Sequence, residues 1–127
     1  MHNHRPTILV IDNDEGVTTA LSVRLDHAGY RCVTACTGAQ GLARFREDDI
    51  DLVITDLNMP ALDGVELTRS IRQVSQVPIV IITGFHADFK RNLRNISNVT
   101  VLQKPFDIAQ LLELIEVEIG FTRASAS

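Results

Sequence analysis

Four side chains suited to phosphoryl chemistry stand at or just beyond the ends of short apolar runs: Asp12 after Ile8–Ile11, Asp56 after Leu52–Ile54, Thr83 after Ile79–Ile82 and Lys104 after Val99–Leu102. Two carboxylates brought together repel unless a cation lies between them, and all-oxygen ligation with open positions suits Mg²⁺. Asp12 and Asp56 are therefore candidate metal ligands. A threonine hydroxyl and a lysine ammonium beside such a metal would hold an anion. Together the four describe a site for a phosphoryl group arriving on Asp56, the candidate nucleophile. Each alone has an ordinary reading, as a turn residue, a strand-end threonine or a solvated lysine. Their joint spacing is what gives them weight.

That chemistry requires the runs to be parallel strands with their C-terminal ends on one edge. The runs are short, apolar and β-branched, as strands buried on both faces are. Between them lie helical patterns. Gly16 opens the first, with Val17, Leu21, Leu25 and Ala28 on one face and Gly29 as the stop. Arg31–Ala35 reads as strand two. Thr37 and Gln40 have capping-box spacing for a helix from about Gly38 to Glu47 that buries Leu42 and Phe45. A third helix after Pro60 and Asp63-Gly64 places Leu67, Ile71 and Val74 on one face. A fourth is expected over Ala87–Ile96, and a fifth carries Ile108, Leu111, Leu112, Ile115 and Ile119 to Gly120.

Strand and helix thus alternate five times, which predicts a doubly wound α/β domain with a five-stranded parallel sheet and helices on both faces. Strand two offers no reactive residue and belongs at the margin beside strand one. The expected order is 2-1-3-4-5, the flavodoxin-like arrangement, with Asp12 and Asp56 facing each other at the switch point.

A chain of 127 residues suits one domain. It is expected to span 7–120, after an N-terminal extension over 1–6 and before a tail over 121–127 that is disordered or begins a linker. The net charge of −4 argues against a broad nucleic-acid footprint, so direct nucleic-acid binding is not expected. No apolar run approaches the roughly 20 residues of a membrane span, and a cytoplasmic, membrane-free protein is expected. Cys32 and Cys36, four apart along a strand, would have Cα atoms about 13 Å apart, too far for a disulfide. His2 and His4 at the terminus read as solvated.

From Thr7 to Gly120 the chain resembles the receiver domain of bacterial two-component response regulators. The resemblance rests on Ile8-Leu-Val-Ile-Asp-Asn-Asp, Asp56-Leu-Asn-Met-Pro with Asp63-Gly64, Ile82-Thr83-Gly84 and Lys104-Pro105-Phe106. It implies that Asp56 accepts a phosphoryl group from a phosphohistidine of a sensor histidine kinase or a histidine phosphotransfer protein. Mg²⁺ would be held by Asp12, the position of Asn13, Asp56 and the backbone carbonyl of Asn58. Thr83 and Lys104 would bind phosphoryl oxygens, Gly84 would leave the site accessible, and the Lys104-Pro105 bond would be cis. Self-catalysed transfer to and hydrolysis from Asp56 would be its only enzymatic activity. Its output would be a downstream protein partner, or a homodimer, meeting the face of the fourth predicted helix, the fifth strand and the fifth helix. There Lys90, Arg91 and Arg94 would lie near Glu113, Glu116 and Glu118.

Two positions depart from the family pattern. The second of the two acids usual after strand one is Asn13 here, and Asp14 either turns inward to restore the charge or stays in solvent. The aromatic residue usual three before the lysine is Val101. These departures motivate a rival reading, a phosphorylation-independent pseudo-receiver. A second rival, a haloacid-dehalogenase-type phosphatase with Asp12 as nucleophile, lacks a further acidic motif after the lysine. His86 in the loop after strand four reads as solvated.

Overall fold

The contiguous β-branched runs form the strands expected of them, because parallel strands covered by helices on both faces can be apolar at every position. The structure, a computed structural model, describes residues 5–57, 64–84 and 93–120. The strands are β1 (Thr7–Ile11), β2 (Arg31–Ala35), β3 (Leu52–Asp56), β4 (Ile79–Thr83) and β5 (Val99–Gln103). All pair in parallel, in the order β2-β1-β3-β4-β5. The helices are α1 (Glu15–His27), α2 (Gly38–Glu47), α3 (Gly64–Arg72) and α4 (Ile108–Ile119).

Side-chain alternation divides the sheet into two apolar layers. Leu9, Ile11, Val53, Ile79 and Ile81 pack with Leu67 and Ile71 of α3 and with Leu42 and Phe45 of α2. Ile8, Val10, Leu52, Ile54, Val80 and Ile82 pack with Leu21 and Leu25 of α1 and with Leu111 and Ile115 of α4. Helices on both faces fix the sheet and aim all five strand C-termini at one edge, where a doubly wound fold binds its ligands.

Helix ends follow local chemistry. Thr37 caps α2 by accepting from the Gln40 N–H at 3.0 Å, and the Gln40 side chain reaches back to the Cys36 N–H at 2.8 Å. Leu42 and Phe45 are half-buried rather than buried, and Gly41 is the buried residue that lets α2 sit close against β1. A Cβ there would stand 2.6 Å from Cδ1 of Ile11. The first helix begins one residue before Gly16, with Asp14 as its cap. Val74, expected on the buried face of α3, is 66% exposed. The helix ends at Arg72, and Val74 sits in the following turn with its N–H bonded to Ile71 at 3.0 Å.

The helix expected over Ala87–Ile96 falls mostly outside the described residues, and Leu93 to Asn95 form a turn. His2, His4, Asn58, Asp63, His86, Lys90, Arg91 and the tail 121–127 also lie outside them. Cys32 and Cys36 are free, half-buried thiols, and burial pushes the Cys32 thiol up. No helix among the described residues is long and apolar enough to cross a membrane.

Candidate phosphoacceptor site

The site is assembled by strand ends. Asp56 is the last residue of β3, in register with Ile82 of β4, and is buried. The next residue extends the pairing, Leu57 N–H donating to the Ile82 carbonyl at 3.0 Å. Asp12 follows β1 directly. Its N–H donates to the Ala35 carbonyl of β2 at 3.1 Å, and its Oδ1 accepts from the Asp14 N–H at 2.9 Å. Asp12 is only 6% exposed.

Burial, and then the Asp56 charge, push the Asp12 carboxyl above its ordinary range; the Asp14 amide bond and the Lys104 ammonium oppose them. An ionised group whose folded pKa is raised disfavours folding above that pKa, and the penalty is relieved as pH falls through it. Asp12→Asn should therefore raise stability near neutral pH, by about 1 kcal/mol. The gain should shrink toward acid pH. Urea denaturation of both proteins at several pH values checks this, and an Asp12→Asn no more stable than its parent at neutral pH would contradict it.

Lys104, first residue beyond β5, places Nζ 3.4 Å from Asp56 Oδ1. Its backbone N–H donates to the Thr83 carbonyl at 2.8 Å, so strand pairing itself ties position 104 to position 83. Thr83 ends β4 and is 2% exposed. The Lys104–Pro105 bond is cis. Gly84 lies against the lysine stem, a Cβ there standing 4.0 Å from Lys104 Cβ.

Asp12, Asp56 and Lys104 are thus brought together, and Thr83 is joined to them through its carbonyl. Asn13 is exposed. Asp14 does not turn inward. It caps α1, its carboxylate accepting from the Gly16 N–H at 2.9 Å. Among the described residues, the side-chain donors left for a metal at this edge are the carboxylates of Asp12 and Asp56, a set that fits a hard cation completed by carbonyl and water oxygens.

Gly64 belongs to this site in a way its motif did not reveal. A Cβ there would lie 2.7 Å from the Asp56 carbonyl oxygen and 2.9 Å from Leu57 Cα. Its N–H donates to the Leu57 carbonyl at 3.0 Å, so α3 is seated on the backbone of the candidate nucleophile. The available signal was a glycine opening an amphipathic helix soon after the carboxylate.

Residues 8–116 match the family described as response regulator receiver domain. Among curated proteins, the transcriptional regulatory protein AfsQ1 of Streptomyces coelicolor is 39% identical over 83 residues, covering 65% of this chain and 37% of that protein. The chain thus spans little more than a third of that relative's length. Among solved structures, a response regulator receiver domain protein from Clostridium thermocellum is 31% identical with a TM-score of 0.82, covering 91% of this chain and 94% of that one. The chemotaxis protein CheY4 of Vibrio cholerae is 27% identical with a TM-score of 0.84, covering 91% and 99%. A family match over most of the chain, on a sheet of the order its spacing predicts, means that this chain belongs to the response regulator receiver domain family.

Proposed function

We propose that the domain is a phosphoacceptor in a cytoplasmic two-component system: Asp56 takes a phosphoryl group from the phosphohistidine of a sensor kinase or histidine phosphotransfer protein. The observation that carries this is the Lys104 ammonium 3.4 Å from Asp56 Oδ1, at the edge where Asp12 is also buried. In the reaction an Asp56 carboxylate oxygen forms a bond to phosphorus, the phosphorus–nitrogen bond breaks, and the imidazole leaves. The acceptor gains negative charge beside a buried Asp12, so the site needs fixed positive charge. Lys104 supplies one such charge, and a Thr83 hydroxyl can donate to a phosphoryl oxygen. Mg²⁺, when bound by Asp12, Asp56, the Asn58 carbonyl and the position of Asn13, would neutralise the transferred oxygens. Water would later remove the group from Asp56 and end the signal. In this account Asp12 serves the cation, not as a phosphatase nucleophile.

The output is a change on a protein-interaction face, met by a downstream partner or a second copy of the chain. Beside β5, a groove of about 450 Å³ is lined by Val101 and Leu102 of the edge strand and by Glu113, Leu114 and Val117 of α4. Val101 packs into the α2–α3 apolar layer and, unlike an aromatic ring, has no large group to swing between pocket and surface. Coupling then runs through Thr83 and the loop after it. A fluoroberyllate phosphate analogue with Mg²⁺ should shift amide resonances of β5 and α4 in the parent and much less in Thr83→Ala. Equal shifts in the two proteins would contradict this route.

A further inference from the structure

We infer that Arg72 is a positioning residue for the Asp56–Lys104 pair: it grips the lead-in to the strand carrying Lys104 from the helix that is seated on Asp56. The inference rests on the reading of Asp56 as phosphoacceptor. At its first residue, α3 presses Gly64 against the Asp56 carbonyl. At its last, Arg72 donates from Nε to the Ser97 carbonyl at 2.9 Å and from Nη2 to the Asn98 carbonyl at 2.9 Å. A third donor, Nη1, reaches the Ser75 carbonyl at 3.0 Å. Among the described residues these partners are all carbonyls, so the guanidinium acts as a rigid fork spanning two chain segments rather than as half of an ion pair.

Neighbouring bonds make the grip specific. Asn98 holds a left-handed backbone, φ 58°, and its side-chain amide donates to the Gln76 carbonyl at 2.8 Å. Ser97 Oγ donates to Gln76 Oε1 at 3.1 Å, and the Asn98 carbonyl also accepts the Ile79 N–H that begins β4, at 3.1 Å. The connections form a closed ring: Asp56, α3, Arg72, Asn98, β5, Lys104 and back to Asp56 across the 3.4 Å pair.

The ring matters because, among the described residues, β5 is an edge strand that pairs only with β4. The ladder sets its residue-by-residue pairing, up to the Lys104 N–H on the Thr83 carbonyl, but leaves its tilt about that line to other restraints. Asn98 and Lys104 are six residues apart, roughly 20 Å along an extended strand, so displacement at one end is carried to the other. Lysine at position 72 would keep the charge yet lose the two-carbonyl fork.

The test follows the ε-methylene resonance of Lys104 in Arg72→Lys and in the milder Asn98→Gly, which keeps the left-handed backbone but removes the bond to Gln76. Ile8→Val, deleting one buried methyl at the far end of β1, controls for lost stability. The resonance should move in both grip variants and stay at its parent position in the control. Phosphorylation by acetyl phosphate at saturating Mg²⁺, at a temperature where all four proteins are folded, should fall by about 3- to 10-fold in Arg72→Lys, in line with the sensitivity of transfer to small misplacements. It should match the parent in Ile8→Val. An unmoved Lys104 resonance in Arg72→Lys, or a rate equal to the control's, overturns the inference. A parent that takes no phosphoryl group overturns the phosphoacceptor reading instead, and the Lys104 resonance still decides whether Arg72 positions the pair.

Discussion

Replacing Lys104 by alanine is expected to leave the fold nearly unchanged and to weaken binding of a phosphate analogue at Asp56 by roughly 10- to 100-fold. The contrast comes from solvent exposure. In the resting domain the lysine side chain is 43% exposed, and an ion pair open to that degree contributes about 0–1 kcal/mol once screening and side-chain ordering are counted. With a phosphoryl group or its analogue in place, the same ammonium faces oxygens carrying more charge, in a site where Asp12 and Asp56 are buried. A charge-assisted hydrogen bond there is worth roughly 1.5–3 kcal/mol. Thermal denaturation and titration with fluoroberyllate in the presence of Mg²⁺ separate the two effects. Lys104→Ala binding the analogue as tightly as the parent would remove the lysine from the proposed mechanism.

Asn13→Asp is expected to tighten Mg²⁺ binding by about 10-fold, because hard-cation affinity follows the number of charged ligands and their supporting contacts. The structure removes the main competing explanation. Asp14 could restore the missing charge only by turning inward, and its carboxylate is engaged at 2.9 Å with the Gly16 N–H as the cap of α1. Asp14→Asn should therefore leave Mg²⁺ affinity nearly unchanged, and stability too, since asparagine caps helices about as well as aspartate. Asp14→Ala should cost about 1 kcal/mol of stability through the lost cap. Asp12→Asn, by contrast, should weaken the metal strongly. Mg²⁺ titrations of the parent and these variants decide the matter, and equal affinity in the parent and Asn13→Asp would show that position 13 does not limit the site.

What was legible in the chain is what short-range pattern encodes. The apolar runs at residues 8–11, 52–54, 79–82 and 99–102 announce buried parallel strands without further help. The absence of a reactive residue after Ala35 was enough to place β2 at the margin and to derive the order 2-1-3-4-5. Thr37 and Gln40 carried their capping geometry in their spacing. What was not legible depends on partners distant in sequence. The role of Gly64 emerges only when Asp56 is beneath it. Val74 continued the apolar period of α3, but the helix ends two residues earlier, where the chain turns toward β4. Arg72 carries no signal in the sequence because its carbonyl partners, Ser97 and Asn98, are some 25 positions away. The sequence left Asp14 open between turning inward to the metal and staying in solvent, and its place as the cap of α1 needed the start of that helix, since a single residue's shift changes which side chain faces the free N–H groups.

The central claim, that Asp56 is the phosphoacceptor, is tested most directly by intact-mass analysis after incubation with acetyl phosphate across a range of Mg²⁺ concentrations. The account predicts that the parent gains the mass of one phosphoryl group in a Mg²⁺-dependent manner, and that Asp56→Asn gains none. An unchanged parent mass at every Mg²⁺ concentration, or equal labelling of Asp56→Asn, would contradict it.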